Sequence, residues 1–188
     1  RSLNEDKSDV TWSMSAPLHS LSNQEIENGV QFLADNGLVY GEEFICYAIR
    51  TESYYVRLAE SGVSVKPRSV RNPNEDLYLH ALDSLNNKFF IFRMGKDIEV
   101  PLSAEKYPDV VDYANRYRTD FLDVFLISRC KFLLVGNTGL FWISAMFNIP
   151  AVHGDVYDIR HIQPFSHIYT FQKVWLINEK RLASVSEM

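Results

Sequence analysis

The sequence lacks the features that mark membrane-spanning, disulfide-rich and nucleic-acid-binding proteins. Its apolar runs are all shorter than the roughly 20 residues that cross a bilayer. It has two cysteines, Cys46 and Cys130, and each lies within an apolar run, as is typical of buried free thiols. The net charge of −5 gives no basic footprint for nucleic acid. We therefore expect a soluble globular domain from a reducing compartment, with no transmembrane segment and no nucleic acid among its partners.

Several catalytic signatures are also missing. The five histidines show no metal-ligand spacing, and there is no Gly-x-Ser-x-Gly elbow. The short motif Gly136-Asn137-Thr138-Gly139 has no lysine after its second glycine, which argues against a P-loop NTPase. We expect neither a metal nor another cofactor.

The length of 188 residues allows one domain with a sizeable core. The polar stretch at residues 1–20 predicts an extended N-terminal segment, and residues 21–188 predict a single α/β domain. No signal peptide is visible. The chain begins with Arg1 and not with Met, so we expect it to be a piece of a longer protein.

The chain is organised around the stretch from Thr119 to His153. An amphipathic helix is followed by an apolar run at 132–135, the Gly136–Gly139 turn, a second helix and a short strand at 151–152. This order predicts a βαβ unit of a parallel sheet. The turn would place backbone N–H groups and the Thr138 hydroxyl at a helix N-terminus, which favours an anion such as phosphate. The alternative is an ordinary strand-to-helix turn that binds nothing.

Two arginines stand at the ends of predicted strands. Arg50 follows the apolar run 44–49, and Arg93, with Gly95 close behind, follows the run 89–92. Because ligands bind at the carboxyl ends of parallel strands, we expect both arginines on one edge of the sheet, beside the Gly136–Gly139 turn. Arginine holds phosphate oxygens bidentately, although either residue could instead be a surface arginine.

The remaining segments are less distinctive. Ser22 and Glu25 form a capping box that begins a helix ending at Gly37. Residues 51–72 predict a long irregular loop with an excess of positive charge. Asp120 and Asp123 fit the N-terminal turn of the helix that follows Arg118.

Six motifs, taken in order and spacing, resemble a family of bacterial proteins classed as glycosyltransferases. They are Phe44–Arg50, Val70–Asn72, Phe92–Gly95, Tyr113–Asn115, Arg118–Asp123 and Phe132–Gly139. The family resembles the donor-binding half of GT-B enzymes and, more distantly, protein O-fucosyltransferases. The likeness implies a Rossmann-like, mainly parallel sheet with helices on both faces. Relatives often carry a histidine two residues before the first arginine, whereas this chain has Ala48.

The resemblance implies transfer of a sugar from a nucleotide-sugar donor to an unknown acceptor. Arg50 would be the catalytic residue, stabilising charge on the leaving diphosphate. The chain would be the C-terminal part of a protein whose N-terminal domain lies outside it, and the protein would be cytoplasmic, either free or peripheral to the inner membrane. The substrate-binding residues would be Arg71, Arg93, Gly95, Asp120, Gly136, Asn137, Thr138 and Gly139.

Two other functions remain open from the sequence. One is a nucleotide-sugar epimerase of similar fold. The other is a nucleotide-sugar-binding or interaction module that does not catalyse a reaction. The base that deprotonates the acceptor would come from the missing N-terminal half or from the 51–72 loop.

Overall fold

A computed structural model describes residues 17–39, 41–51, 53–64, 75–96, 98, 101–156, 168–171, 175–184 and 187. Its helices are α1 (Asn23–Asp35), α2 (Ser53–Glu60), α3 (Glu75–Leu85), α4 (Tyr113–Arg116), α5 (Asp120–Arg129) and α6 (Phe141–Met146). Its strands are β1 (Phe44–Ala48), β2 (Phe90–Met94), β3 (Val110–Val111), β4 (Leu133–Val135), β5 (Ala151–Val156), β6 (Ile168–Phe171), β7 (Trp175–Leu176) and β8 (Arg181–Leu182). No helix in these ranges is both long and apolar enough to cross a membrane.

The central sheet has the strand order β3-β2-β1-β4-β5-β6, and every pair of neighbours is parallel. From β1 the chain moves outward through β2 to β3, then returns to add β4 on the other side of β1. The reversal places the topological switch point between the ends of β1 and β4, where open α/β sheets form a ligand crevice. The predicted α/β class with a mainly parallel sheet is confirmed.

Both faces of the sheet are covered, as the buried strands require. Side chains alternate along a strand, so Cys46 and Ala48 pack in the core that includes Phe125 of α5, while Ile45 packs on the other face with Leu82 of α3. A parallel sheet covered on both faces explains why its strands read as continuous apolar runs.

The helix ends follow the predicted capping chemistry. In α1 the Ser22 hydroxyl accepts a hydrogen bond from the Glu25 N–H, and the Glu25 carboxylate accepts one from the Ser22 N–H at 2.8 Å. In α5 the Thr119 hydroxyl accepts the Leu122 N–H at 3.1 Å. The predicted capping box is confirmed, and the cap of α5 comes from Thr119 rather than from the aspartates after it.

The prediction of an irregular loop over 51–72 is wrong for its first part, where α2 forms. The segment Ser53–Glu60 contains no glycine or proline and has Leu58, Ala59 and Glu60 in succession, which are strong helix formers. Helix propensity, and not the local excess of positive charge, decides the structure of this segment. Residues 65–74 lie outside the described ranges, and so does the predicted site residue Arg71. Residues 1–16 of the predicted N-terminal segment also lie outside them.

Candidate functional site

Arg50 and Thr138 lie at the same edge of the sheet. Ala48, the last residue of β1, pairs in register with Val135, the last residue of β4, and the Gly136 N–H continues the pairing by donating to the Ala48 carbonyl at 2.9 Å. β2 pairs in parallel with the other side of β1. The prediction that these three strands end along one edge is confirmed.

A cleft of about 220 Å³ opens at this edge. It is smaller than the roughly 300–1,000 Å³ of a site for a whole drug-sized ligand. It therefore suits the phosphate part of a ligand better than an entire nucleotide. Four residues predicted from the sequence line it, namely Arg50, Gly95, Thr138 and Gly139, together with Ile49, Thr51, Lys96, Arg118, Asp123 and Leu140.

The turn between β4 and α6 is fixed by its own hydrogen bonds. The Thr138 N–H donates to the Gly136 carbonyl at 2.8 Å, and the Thr138 hydroxyl accepts the Leu140 N–H at 3.0 Å. The Asn137 amide donates to the Asp155 carbonyl at 2.7 Å, which ties the turn to β5. A hydroxyl that accepts one hydrogen bond still carries a proton to donate, so Thr138 can bind an oxygen in the cleft.

α6 is only six residues long. Its summed dipole is weaker than that of a longer helix, and the expected attraction of an anion to its N-terminus contributes little. The positive charge of the site comes instead from side chains.

Arg50 is held by α2, a helix that lies where an irregular loop was predicted. Its Nη1 donates to the Tyr55 hydroxyl at 3.1 Å, and its guanidinium carbon lies 5.8 Å from the centre of the Tyr55 ring. A cation above an aromatic face gains a further attraction from the ring quadrupole. The half-buried guanidinium is thus oriented by α2 at the wall of the cleft.

Two further cations in the lining were not predicted as site residues. Lys96 follows Gly95, whose φ of +139° lies in a region that side chains rarely adopt. Arg118 stands just before α5, and its Nη2 lies 2.8 Å from the Asp123 carboxylate and 3.0 Å from that of Asp120. Arg118 belongs to the motif Arg118–Asp123, and Lys96 directly follows the motif Phe92–Gly95, but the sequence did not show which side chains share one cleft.

Asp123 is the carboxylate in the lining of this cleft. It is nearly buried, and it accepts a hydrogen bond from the Tyr113 hydroxyl at 3.0 Å as well as from Arg118. Burial raises the pKa of Asp123, and the attraction of Arg118 offsets this rise only in part.

Four of the predicted substrate-binding residues do not line the cleft, namely Arg93, Asp120, Gly136 and Asn137. Arg93 is 1% exposed, and its Nη1 lies 3.6 Å from the Asp112 carboxylate. By the alternation of side chains it shares the sheet face of Ile91, which packs on the α3 side, whereas Asp123 belongs to α5 on the opposite face. The Asp120 side chain is 96% exposed and reaches Arg118 from the solvent side.

The sequence matches no protein-family model and no curated protein. The fold is similar to that of ADP-heptose LPS heptosyltransferase II from E. coli, with a TM-score of 0.54 and 16% identity. The similarity covers 82% of this chain and 44% of that protein, so the chain spans less than half of the enzyme's length.

The fold of this chain is also similar, more weakly, to the folds of two other E. coli proteins. The heptosyltransferase WaaC gives a TM-score of 0.45 and 13% identity over 77% of this chain and 41% of its own. The iron-containing dodecameric glycosyltransferase TibC gives a TM-score of 0.46 and 13% identity, and the similarity covers 72% of this chain and 33% of TibC. The parallel sheet and the similarity to heptosyltransferase II show a Rossmann-like fold of the kind found in GT-B glycosyltransferases.

Proposed function

We propose that this chain is the donor-binding domain of a GT-B-like glycosyltransferase that transfers a sugar from a nucleotide-sugar donor to an acceptor not yet identified. One observation carries the proposal: Arg50 and Thr138 line a single cleft at the topological switch point, together with Lys96 and Arg118. The similarity of fold to heptosyltransferase II supports it.

The charges of the cleft suit a diphosphate. The lining contains three cations, Arg50, Lys96 and Arg118, and one carboxylate, Asp123, which leaves two positive charges in excess. The two phosphates of a nucleotide sugar each carry one negative charge near neutral pH. Guanidinium groups bind such oxygens through paired hydrogen bonds, and the Thr138 hydroxyl adds a neutral donor.

In the proposed reaction the bond between the sugar and the diphosphate breaks, and negative charge builds up on the leaving group. Arg50 stabilises this charge as it develops, which is electrostatic catalysis by a group that is already oriented. The sugar bonds to the acceptor oxygen, which loses its proton. We assign this deprotonation to residues outside the cleft, because Asp123 is occupied by Arg118 and Tyr113.

A non-catalytic nucleotide-sugar-binding module is the second candidate. It is favoured by Ala48, at the position where relatives often carry a histidine, and by the engagement of Asp123 with Arg118. We further propose a cytoplasmic location, free or peripheral to the inner membrane. The buried free thiols of Cys46 and Cys130 support a reducing compartment.

A thermal-shift screen of this chain over nucleoside diphosphates and nucleotide sugars tests donor binding. We expect the melting temperature to rise with at least one of them, because a ligand that binds only the folded state stabilises it. No shift with any nucleotide at millimolar concentration would overturn the proposal. Turnover of a radiolabelled donor by the full-length protein then separates the enzyme from the binding module.

A further inference from the structure

We propose that Arg118 is a second phosphate-binding cation of the cleft, and that Asp123 is the residue that positions it. The inference rests on the proposed function and deepens it, because it assigns the selection of a diphosphate over a monophosphate to a pair of arginines. Arg50 lies just after β1 and Arg118 lies just before α5, so the two arginines line the cleft from different segments of the chain.

A closed set of hydrogen bonds fixes the segment that carries Arg118. The Thr119 N–H donates to the Tyr113 hydroxyl at 3.1 Å, and the Tyr113 oxygen lies 2.9 Å from the Thr119 carbonyl and 3.0 Å from Asp123 Oδ1. The hydroxyl has one proton, which serves one of these two acceptors at a time. Because Tyr113 is fully buried, the network holds both Thr119 and Asp123 in place.

The other carboxylate oxygen of Asp123 holds the arginine. Its Oδ2 lies 2.8 Å from Arg118 Nη2, where the Asp123 side chain is 6% exposed and that of Arg118 is 27% exposed. The arginine is therefore held by a buried carboxylate, and it remains partly exposed and lines the cleft. A planar guanidinium has five N–H donors, so one that binds a carboxylate retains others for a ligand.

Stability of the fold does not account for this arrangement. A buried ion pair is a weak source of stability, because both charges lose water. Asp120 already pairs with the same arginine at 3.0 Å from a fully hydrated position. What the buried carboxylate adds is a fixed orientation, which Asp120, at 96% exposure, cannot supply.

The proposal makes a prediction whose sign is opposite to that of simple electrostatics. Replacing Asp123 by asparagine removes a negative charge from the cleft, and Coulomb attraction alone would then strengthen the binding of an anion. Loss of positioning would weaken it. The direction of the change therefore separates the two effects.

Calorimetric titrations with inorganic pyrophosphate and inorganic phosphate provide the test. We expect Arg118→Gln to weaken pyrophosphate binding about tenfold or more, with a smaller loss for phosphate, which one cation can hold. We expect Asp123→Asn to weaken pyrophosphate binding by about threefold to tenfold. Asp120→Asn is the matched control, since it removes a carboxylate from the same arginine outside the cleft, and it should stay within about twofold of wild type.

A double-mutant cycle shows whether Asp123 acts through Arg118. In the Arg118→Gln background, Asp123→Asn should cause no further loss of pyrophosphate affinity. A merely structural role would give the same loss in both backgrounds. If Asp123→Asn does not fold, Tyr113→Phe replaces it in the cycle, because that change releases the carboxylate while leaving its charge.

The inference is overturned if Asp123→Asn binds pyrophosphate as tightly as wild type or more tightly, if its effect persists in full without Arg118, or if Arg118→Gln has no effect. These results leave the proposed function standing as long as Arg50→Ala still weakens binding. Failure of the wild-type chain to bind any nucleotide or pyrophosphate would instead overturn the proposed function itself.

Discussion

The carboxylate of Asp123 lies 2.8 Å from the guanidinium of Arg118 and is almost completely shielded from water. Its burial raises the pKa of Asp123 in the folded protein. A carboxyl group whose pKa is raised on folding stabilises the folded state in its protonated form. This contribution is fully present below the pKa of the unfolded chain, which is about 3.9 for aspartate. That stability is lost as the pH rises through the folded-state pKa.

The change Asp123→Asn should therefore make the protein more stable relative to wild type as the pH increases from about 3.5 to about 7, because asparagine has no proton to lose. Urea unfolding of both proteins across this range measures the difference in the free energy of unfolding. Similar slopes against urea would show that the unfolded states are comparable. A difference that is constant with pH, or that shrinks as the pH rises, would contradict the expected cost of burying this charge.

Gly29 is predicted to be required for the packing of α1 on α5. A Cβ at this position would lie 2.2 Å from the Phe125 ring. Gly29→Ala should gain about 1 kcal/mol in helix propensity but lose about 1–3 kcal/mol or more through overpacking, for a net loss of stability. Chemical denaturation measures the balance, and Gly29→Ala combined with Phe125→Leu should recover part of the loss.

Gly139→Ala is the matched glycine control. Nothing lies within 4 Å of a Cβ at this position. We expect its free energy of unfolding to stay within about 0.5 kcal/mol of wild type. If Gly29→Ala and Gly139→Ala had equally small effects on the free energy of unfolding, the close packing of α1 against α5 at Gly29 would be contradicted.

Cys46 and Cys130 should resist thiol reagents in the native protein. Both are buried and free, and burial raises the pKa of the Cys46 thiol well above its ordinary value, which keeps it from forming the reactive thiolate. A chromogenic thiol assay should show almost no reaction in buffer and full reaction of both residues in denaturant. Fast labelling of the native chain would disprove this packing.

The edge of the sheet could be predicted from sequence because its strands are buried on both faces. Such strands appear as short apolar runs, and in a parallel sheet their ends must meet at one edge. The positions of Arg50 and Thr138 follow from that rule. The positions of Arg118 and Lys96 do not follow from it, because these residues lie in connecting segments whose location depends on the order of the strands in the sheet.

Arg93 shows that a difference of one residue in where a strand ends changes the direction of a side chain. The sequence puts it at the end of a strand, as it does Arg50. The structure extends β2 to Met94, so Arg93 remains within the strand on the α3 side and lies near Asp112. Whether a residue is the last of a strand or the first after it decides its direction, and apolar periodicity does not resolve a boundary to one residue.

Calorimetric titration of ADP, UDP and GDP into wild type and Arg50→Ala tests the central claim most directly. Wild type should bind at least one of them. A charged hydrogen bond to phosphate contributes about 1.5–3 kcal/mol, so Arg50→Ala should lose one to two orders of magnitude in affinity. Arg50→Lys should recover part of the loss, because an ammonium lacks the planar fork. Thr138→Ala should cost less than Arg50→Ala, since it removes one neutral hydroxyl.

Melting curves of the same variants report whether each is folded at the temperature of the titration. The account predicts melting temperatures close to wild type together with a clear loss of nucleotide affinity in Arg50→Ala. Equal affinity in wild type and Arg50→Ala would remove Arg50 from the site and leave the Gly136–Gly139 turn as an ordinary loop.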